Sequence, residues 1–322
     1  MKTFFAAALA AISTAKLMTP GQNEFLRFVV KYGKNYLTTE EFEARAEIFS
    51  QFYDHVLSVN ENPASRHRAA INAYSDNSPE EWDRMMGLKN VGQPTNLNGV
   101  FHELTDTPTS VDWRDSGCVT GVKDQGSCGS CWAFSSTGAL EAASCIFESN
   151  VELLSEQQLV DCSWGQSNMG CSGGWYYWAY DYLSQGASLE SESQYPYTGR
   201  NGTCADPSGA GDVTATGYVM VDGNSTAIKS AIAQQPVNIA VAAGNYHFQG
   251  YSSGILMASG CPTRIDHAIL AVGYGSENGT EYYIVKNSWG TSWGESGYVR
   301  MEVTEGLGTC GMNQNVAYPT GV

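Results

Sequence analysis

The run Gln125-Gly-Ser-Cys-Gly-Ser-Cys-Trp-Ala-Phe134 holds two of the chain's nine cysteines. Nine is odd, so four bridges would leave one thiol free, and Cys131 is placed to use it as a nucleophile. A thiol with a pKa near ~8.5 is mostly protonated at neutral pH and needs a base, a cation or a helix N-terminus to activate it. Histidine is the usual base. Of five histidines, His55, His67 and His102 fall in an N-terminal stretch of different character, which leaves His247 and His267. His247, in Asn245-Tyr-His-Phe-Gln249, has no supporting context and reads as a surface or rim residue. His267 lies in an apolar strand from Arg264 to Tyr274 that runs into a turn at Ser276-Glu-Asn-Gly-Thr280, and Glu281-Tyr-Tyr-Ile-Val-Lys-Asn287 returns as a second strand. Folding this hairpin about Asn278 brings His267 within a residue or two of Asn287. An amide there can accept from the imidazole and fix its ring.

Each residue alone has a plainer reading. His267 on an apolar strand fits a satisfied core histidine, Asn287 a turn asparagine and Gln125 a loop glutamine. Cys128-Gly-Ser-Cys131 is formally C-x-x-C, the spacing of a redox pair or half a zinc site. Neither a second C-x-x-C nor an H-x₃-H accompanies it, so no metal and no cofactor is expected. A thiol oxidoreductase would require Cys128 to be free, which one disulfide mass measurement decides.

Taken in order, Cys131 in Gln-Gly-Ser-Cys-Gly-Ser-Cys-Trp, His267 136 positions later and Asn287 in Lys286-Asn-Ser-Trp-Gly290 resemble the papain and cathepsin family of cysteine peptidases, cathepsin L-like in type. The resemblance covers nearly the whole chain. It implies an α+β, papain-like two-lobed fold, a helical lobe plus a β-barrel-like lobe, with Cys131 and His267 on opposite walls of a cleft. It implies a resting thiolate–imidazolium pair, Asn287 as orienter, and an oxyanion hole made by Gln125 and the backbone amide of Cys131. Trp289 would shield the His267–Asn287 bond with Trp293 alongside, although both tryptophans also fit plain core.

The same resemblance lines the pocket for the side chain one residue before the scissile residue with Trp175, Tyr176, Ala240 and Ile265, and sets Asn315 at its floor. That favours a bulky apolar or aromatic side chain, with Asn315 a departure toward polarity. Gly173 and Gly174 would offer backbone hydrogen bonds to an extended peptide. The family's pattern pairs Cys128 with Cys171, Cys162 with Cys204 and Cys261 with Cys310. Cys118 and Cys145 lie outside that pattern and are expected to form a fourth bridge. The short segment from Cys162 to Cys171 shows no inserted loop across the cleft, which favours an endopeptidase.

The rest of the chain supplies compartment and control. Lys2 precedes the apolar run Phe4 to Ile12, and Ser13-Thr-Ala15 offers small residues for cleavage, as in a signal peptide over 1–15. No later stretch approaches ~20 uninterrupted apolar residues, so no membrane span is expected. Sequons at Asn201, Asn224 and Asn278 are compatible with glycosylation. Within 16–106, Glu41, Arg45, Phe49, Val56 and Asn60 fall on one helical stripe. Their spacing resembles the family's inhibitory pro-region, except that Phe52 stands where asparagine is usual and Val56 where isoleucine is. Ala70-Ile-Asn-Ala-Tyr-Ser-Asp76 resembles its second motif, with Ala70 for glycine and Tyr74 for phenylalanine. Gln93 to Gly99 is a polar, turn-rich linker suited to cleavage, so the mature peptidase should occupy 107–322.

After Cys131 the pattern is helical over Trp132 to Phe147, from Ser155 and over Gly174 to Leu183; Val237, Ile239 and Val241 then alternate as a strand. The mature part carries three lysines and four arginines against nine aspartates and eleven glutamates, a net −13 with neutral histidines. Such a surface disfavours nucleic acid and anionic membranes. Expected partners are peptide and protein substrates, the chain's own pro-region and cystatin-like inhibitors. A monomer in the secretory pathway, lysosomal or vacuolar or extracellular, is expected. Acidification should loosen the pro-segment as its carboxylates protonate. A catalytically silent binding or storage protein on the same fold is the alternative, as is an inhibitor module carried on a dead partner; the chain retains both Cys131 and His267.

Overall fold

The computed structural model describes residues 19–88, 100–205 and 211–322. The expected leader and the linker at 93–99 lie outside the described residues. Three helices and a strand form the first part: α1 (Pro20–Lys31), α2 (Thr39–Glu61), β1 (His67–Ala69) and α3 (Pro79–Met85). Thr19 and Gln22 cap α1 reciprocally, and Ser78 and Glu81 do the same for α3, so both starts are written in local sequence. Phe25 and Phe28 of α1 bury against Phe49 of α2, with 4.8 Å between the Phe28 and Phe49 ring centroids. The stripe on α2 does three jobs. Arg45 forks onto both Glu81 carboxylate oxygens, Nη2 to Oε1 at 2.8 Å, and so ties α2 to α3. Phe49 fills the core, and the Asn60 amide clamps β1 by donating to the Ala69 carbonyl at 2.8 Å and accepting from its N–H at 3.0 Å. Asp76 accepts from Lys34 at 2.6 Å and from the Tyr36 hydroxyl at 2.8 Å.

The second part begins with β2 (Val100–Phe101) and β3 (Val111–Asp112) and then turns helical. Helix α4 (Cys131–Glu148) is buried at every residue from Cys131 to Ser144, as befits an Ala- and Ser-rich helix with other elements on all sides. It packs on α5 (Glu156–Cys162), α6 (Tyr176–Ser184) and the sheet. Ser155 caps α5 by accepting from the Gln158 N–H. The remainder is β4 (Gly217–Met220), α7 (Ser225–Gln234), β5 (Val237–Val241), α8 (Tyr246–Gln249), β6 (Tyr251–Leu256), β7 (His267–Glu277), β8 (Thr280–Lys286), β9 (Tyr298–Glu302) and β10 (Val316–Thr320). The alternation expected of β5 is absent from its burial: all five residues are buried, because α4 covers one face and the β-lobe core the other.

The strand order is β1-β6-β9-β8-β7-β5-β10-β4-β2, with β3 on β7. β1 and β2 are the two end strands of that order, so both edges of the sheet are covered by segments that precede residue 107. The β7–β8 hairpin is tighter than the sequence suggests. Ser276 and Glu277 pair with Glu281 and Thr280, and only Asn278 and Gly279 form the loop, both at positive φ of 50° and 78°. That is the geometry an Asn-Gly pair favours. Leu270 pairs with Lys286, so three residues further along the strand His267 reaches the level of Asn287 and Trp289.

Four disulfides close: Cys118–Cys145, Cys128–Cys171, Cys162–Cys204 and Cys261–Cys310. Their sequence separations of 27 to 49 residues correspond to about 3 to 4 kcal/mol each of restricted unfolded-chain entropy. Among the described residues no helix is long and apolar enough to cross a membrane, and no cluster of His, Cys, Asp or Glu is arranged to hold a metal ion.

The Arg45–Glu81 fork yields a prediction. Arg45→Ala should loosen the pro-region by about 2 kcal/mol, read as an earlier unfolding transition of the precursor. Hydrogen bonding to Arg45 holds the Glu81 carboxyl below its usual value. The stabilisation is therefore whole above the unfolded carboxylate value near ~4.3 and is lost as pH falls through the depressed folded value. The gap between wild type and variant should shrink below about pH 4; a gap that stays constant on acidification contradicts this account.

Candidate active site beneath the pro-segment

Cys131 begins α4 and is fully buried, and it is the one cysteine outside the four bridges. Ser130 makes no side-chain cap, so the first-turn amides stay directed toward the sulfur's end of the helix. Across the join of the two lobes, the Ala268 N–H lies 3.4 Å from Cys131 Sγ, and His267 is the residue just before it in the chain. His267 Nε2 is 2.9 Å from Asn287 Oδ1, and the same oxygen accepts from the Ser288 N–H at 2.8 Å. An oxygen acting twice as acceptor requires Nε2 to carry the proton. The neutral ring then presents Nδ1 as a lone pair, and Nδ1 has no hydrogen-bond partner. The Trp289 ring centroid lies 4.9 Å from that of His267, tilted by 33°, and Trp293 packs behind it on Phe248. Trp289 is at once lid and core.

A stretch of main chain runs through the cleft. The Gln125 amide donates to the Met85 carbonyl at 2.9 Å, the Gly174 N–H donates to the Gly87 carbonyl at 3.1 Å, and the Leu88 N–H donates to the Asp266 carbonyl at 3.0 Å. Over the thiol this segment needs glycine: a Cβ on Gly87 would stand 2.2 Å from the Gly129 carbonyl oxygen and 2.9 Å from Cys131 Sγ. Leu88, 3% exposed, is buried in one apolar cluster with Trp175, Tyr176 and Ala240, and Ile265 packs against that cluster. Asn315 is half-buried, and its backbone carbonyl accepts from the Tyr176 hydroxyl at 2.8 Å. Gly173 and Gly174 differ: Gly173 donates to the Gly170 carbonyl and accepts from the Met169 N–H, so its groups close its own loop and Gly174 meets the chain in the cleft. Upstream, Tyr74 and Trp82 stack around Trp289, at 6.2 and 5.3 Å.

Burial at this site bears on both groups. Burial pushes the Cys131 thiol up to about 11, against hydrogen bonds from the backbone of Ala268, Gly87 and Trp132. Burial pulls His267 down to about 4, with the Asn287 bond opposing. Burial thus acts on both groups in the direction of their neutral forms.

Two positioning residues escaped the sequence reading. Ser288 Oγ donates to Gln125 Oε1 at 2.7 Å and so turns the amide nitrogen toward the cleft. Its place between Asn287 and Trp289 was a signal. The Tyr197 hydroxyl donates to the Gln125 carbonyl at 2.8 Å and is 2.6 Å from Ser130 Oγ. These partners lie 72 and 67 residues away, and nothing local marks Tyr197. His247, read as a rim residue, is half-buried against the pro-region, with its ring 4.7 Å from His67.

An unpaired thiol, a histidine fixed by an amide and a side-chain donor aimed at a peptide carbonyl define a cysteine peptidase closed by its own N-terminal segment. The chain belongs to the papain family of cysteine proteases: that family's model matches residues 107–320, and the cathepsin propeptide inhibitor domain (I29) matches 25–82. It is 40% identical to digestive cysteine proteinase 1 of Homarus americanus over 91% of this chain and 93% of that one. It is 38% identical to the senescence-specific cysteine protease SAG12 of Arabidopsis thaliana, over 93% and 90%. Among solved structures, digestive procathepsin L2 proteinase from Tenebrio molitor larval midgut superposes with a TM-score of 0.85 at 34% identity, covering 93% of this chain and 99% of that one. The recombinant stem bromelain precursor gives 0.83 at 33%, covering 94% and 99%. The protein is thus a papain-like cysteine endopeptidase made with an inhibitory propeptide.

Gly87→Ala tests the roof. Overpacking of this kind typically costs about 1 to 3 kcal/mol, so the variant precursor should leak roughly 5- to 150-fold more activity at neutral pH than wild type. Equal latency in the two would show that the segment does not press on the thiol.

Proposed function

We propose that this chain is a secreted or lysosome-like zymogen in which residues 16–106 block, and residues 107–322 form, an endopeptidase that works by Cys131 and His267. What carries the reading is the peptide already in the cleft, whose Met85 carbonyl takes the Gln125 amide a scissile carbonyl would need. Once the roof lifts, water and the N-terminus of α4 favour the thiolate, and His267 holds the proton at Nδ1. The thiolate attacks the carbonyl carbon, and Gln125 with the Cys131 backbone amide holds the developing oxyanion. The C–N bond then breaks as His267 gives its proton to the leaving amine. Water, deprotonated by His267, hydrolyses the thioester and returns the thiolate. Asn287 keeps the ring in place through both steps, and Trp289 keeps water from their bond.

Leu88 in the cluster of Trp175, Tyr176, Ala240 and Ile265 supports preference for a bulky apolar side chain one residue before the scissile residue. Asn315 at the floor of that pocket would let it tolerate a polar group. Gly174 would pair with the substrate backbone as it pairs with Gly87. Three relatives carry "digestive" in their names, which supports bulk hydrolysis of protein outside the cytosol.

Acidified precursor should lose the mass of the pro-region and gain hydrolysis of a reporter peptide with Phe or Leu in the penultimate position, while Cys131→Ala does neither. Absence of hydrolysis after an added protease has removed the pro-region would overturn the assignment of Cys131 and His267. Gln125→Ala should lower kcat by roughly 10²- to 10³-fold. Tyr197→Phe removes one bond to the Gln125 carbonyl and should cost about 1 kcal/mol, or about 5-fold in kcat with little change in KM. In the Gln125→Ala background the Tyr197→Phe effect should nearly vanish; full additivity would show that Tyr197 does not act through Gln125.

A further inference from the structure

Three histidines that the chemistry does not use meet where the pro-region docks. His55 comes from α2, His67 from β1 and His247 from α8, so two belong to the segment that leaves and one to the part that stays. His67 and His247 ring centroids are 4.7 Å apart, edge to face at 79°; His55 and His247 are 6.0 Å apart at 72°. The Nε2 atom of every one of the three is buried without a hydrogen-bond partner. Buried polar nitrogens are ordinarily paired, so three orphans in one seam require an explanation. Their arrangement is not that of a metal site. His102, by contrast, is bonded through both ring nitrogens, to the Tyr318 and Ser230 hydroxyls at 2.9 Å each.

Among the described residues, no negative charge acts on the three rings. Phe52, Val56, Val59 and Ala69 form an apolar cluster with Tyr246, and Phe52 stacks edge-on with Tyr246 at 5.5 Å. Phe52 stands where an asparagine is usual, so the seam is less polar than the pattern it resembles. β1 contributes Arg68, which acts on His67 in the same sense as the other rings, and Arg66, just ahead of β1, lies 3.9 Å from Glu302. α2 contributes the exposed Asp54, α8 the Tyr246 phenol and β6 the Tyr251 phenol, whose proton goes to the Gly254 carbonyl. The turn at 258–260 packs on His247 through Gly260 and carries no charge. The charges acting on the three rings are one another and Arg68, all positive when protonated.

We propose that His55, His67 and His247 are a proton-operated latch that holds β1 on β6 and α2 on α8 while neutral and releases the pro-region when the rings take up protons. The inference rests on the reading of residues 16–106 as inhibitory, and not on the catalytic roles of Cys131 and His267. Its direction follows from linkage. Burial first, then repulsion by His247, His55 and Arg68, holds His67 at about 4. Burial and His247 lower His55, and burial lowers His247. The closed form disfavours the charged rings, so its advantage is whole above the free-imidazole value near ~6.5 and is lost as pH falls from there toward about 4. With up to three protons taken up, the open-to-closed ratio rises by as much as ~10³ per pH unit in that window.

The test uses the full chain with Cys131→Ala, so that opening is read without self-cleavage. Hydrogen exchange of the β1 amides and the histidine ring resonances are followed from pH 7 to 4. Opening should begin above pH 5 with a slope of two or more protons, with the three rings titrating together with it. Adding His67→Gln and His247→Gln should lower that slope by at least one proton and move the midpoint down by about one pH unit. An unchanged midpoint and slope would overturn the latch, and so would rings that titrate near 6.5 while β1 stays protected. The ring titration decides the matter in the native seam even if the double variant folds poorly. If the pro-region were not inhibitory at all, its removal from the Cys131 chain would leave reporter hydrolysis unchanged, a result separate from either latch outcome.

Discussion

Everything in this precursor turns on a strand of its own main chain lying against the Cys131 thiol. The contact is close enough that only a residue without Cβ passes, and Gly87 is that residue. The segment accepts hydrogen bonds from the Gln125 amide and the Gly174 N–H, and it buries Leu88 in an apolar cluster. Because it also excludes water, it takes away the solvent that would stabilise a thiolate and an imidazolium. Steric cover and desolvation of the thiol thus come together at one place.

Holding that strand in place needs a long lever. The aromatic stack of Tyr74, Trp82 and Trp289 fixes the segment just upstream of the thiol, on the same ring that covers His267. Further back, β1 adds to the edge of the sheet at β6, where Gly254 at φ +86° lets the Arg66 carbonyl approach. The Arg45–Glu81 fork and the Asn60 clamp make α2, α3 and β1 one body. These contacts link the seam of histidines to the segment over the thiol through packed elements.

Much of the architecture was legible in the chain. Capping pairs, the Asn278-Gly279 turn and the Ala-rich run after Cys131 act within a few residues, where sequence speaks directly. The hairpin arithmetic brought His267 to Asn287 for the same reason, since a strand pair has a fixed period. Tyr197 was invisible because its two bonds join segments about 70 residues apart. The difference between Gly173 and Gly174 was also invisible, because it depends on which loop carbonyls happen to be in reach.

The sequence by itself determined which groups exist and what they can do: one odd thiol, a histidine and an amide at hairpin distance, a glutamine before the thiol, and a detachable helical segment in front of them. Only the tertiary structure decided their state. Whether Cys131 and His267 are charged, and whether His247 is a rim residue or part of a closed seam, depends on how much water and how many charges lie within a few ångströms. Desolvation sums over every neighbour, near or distant in the chain, and no local pattern of residues encodes that sum.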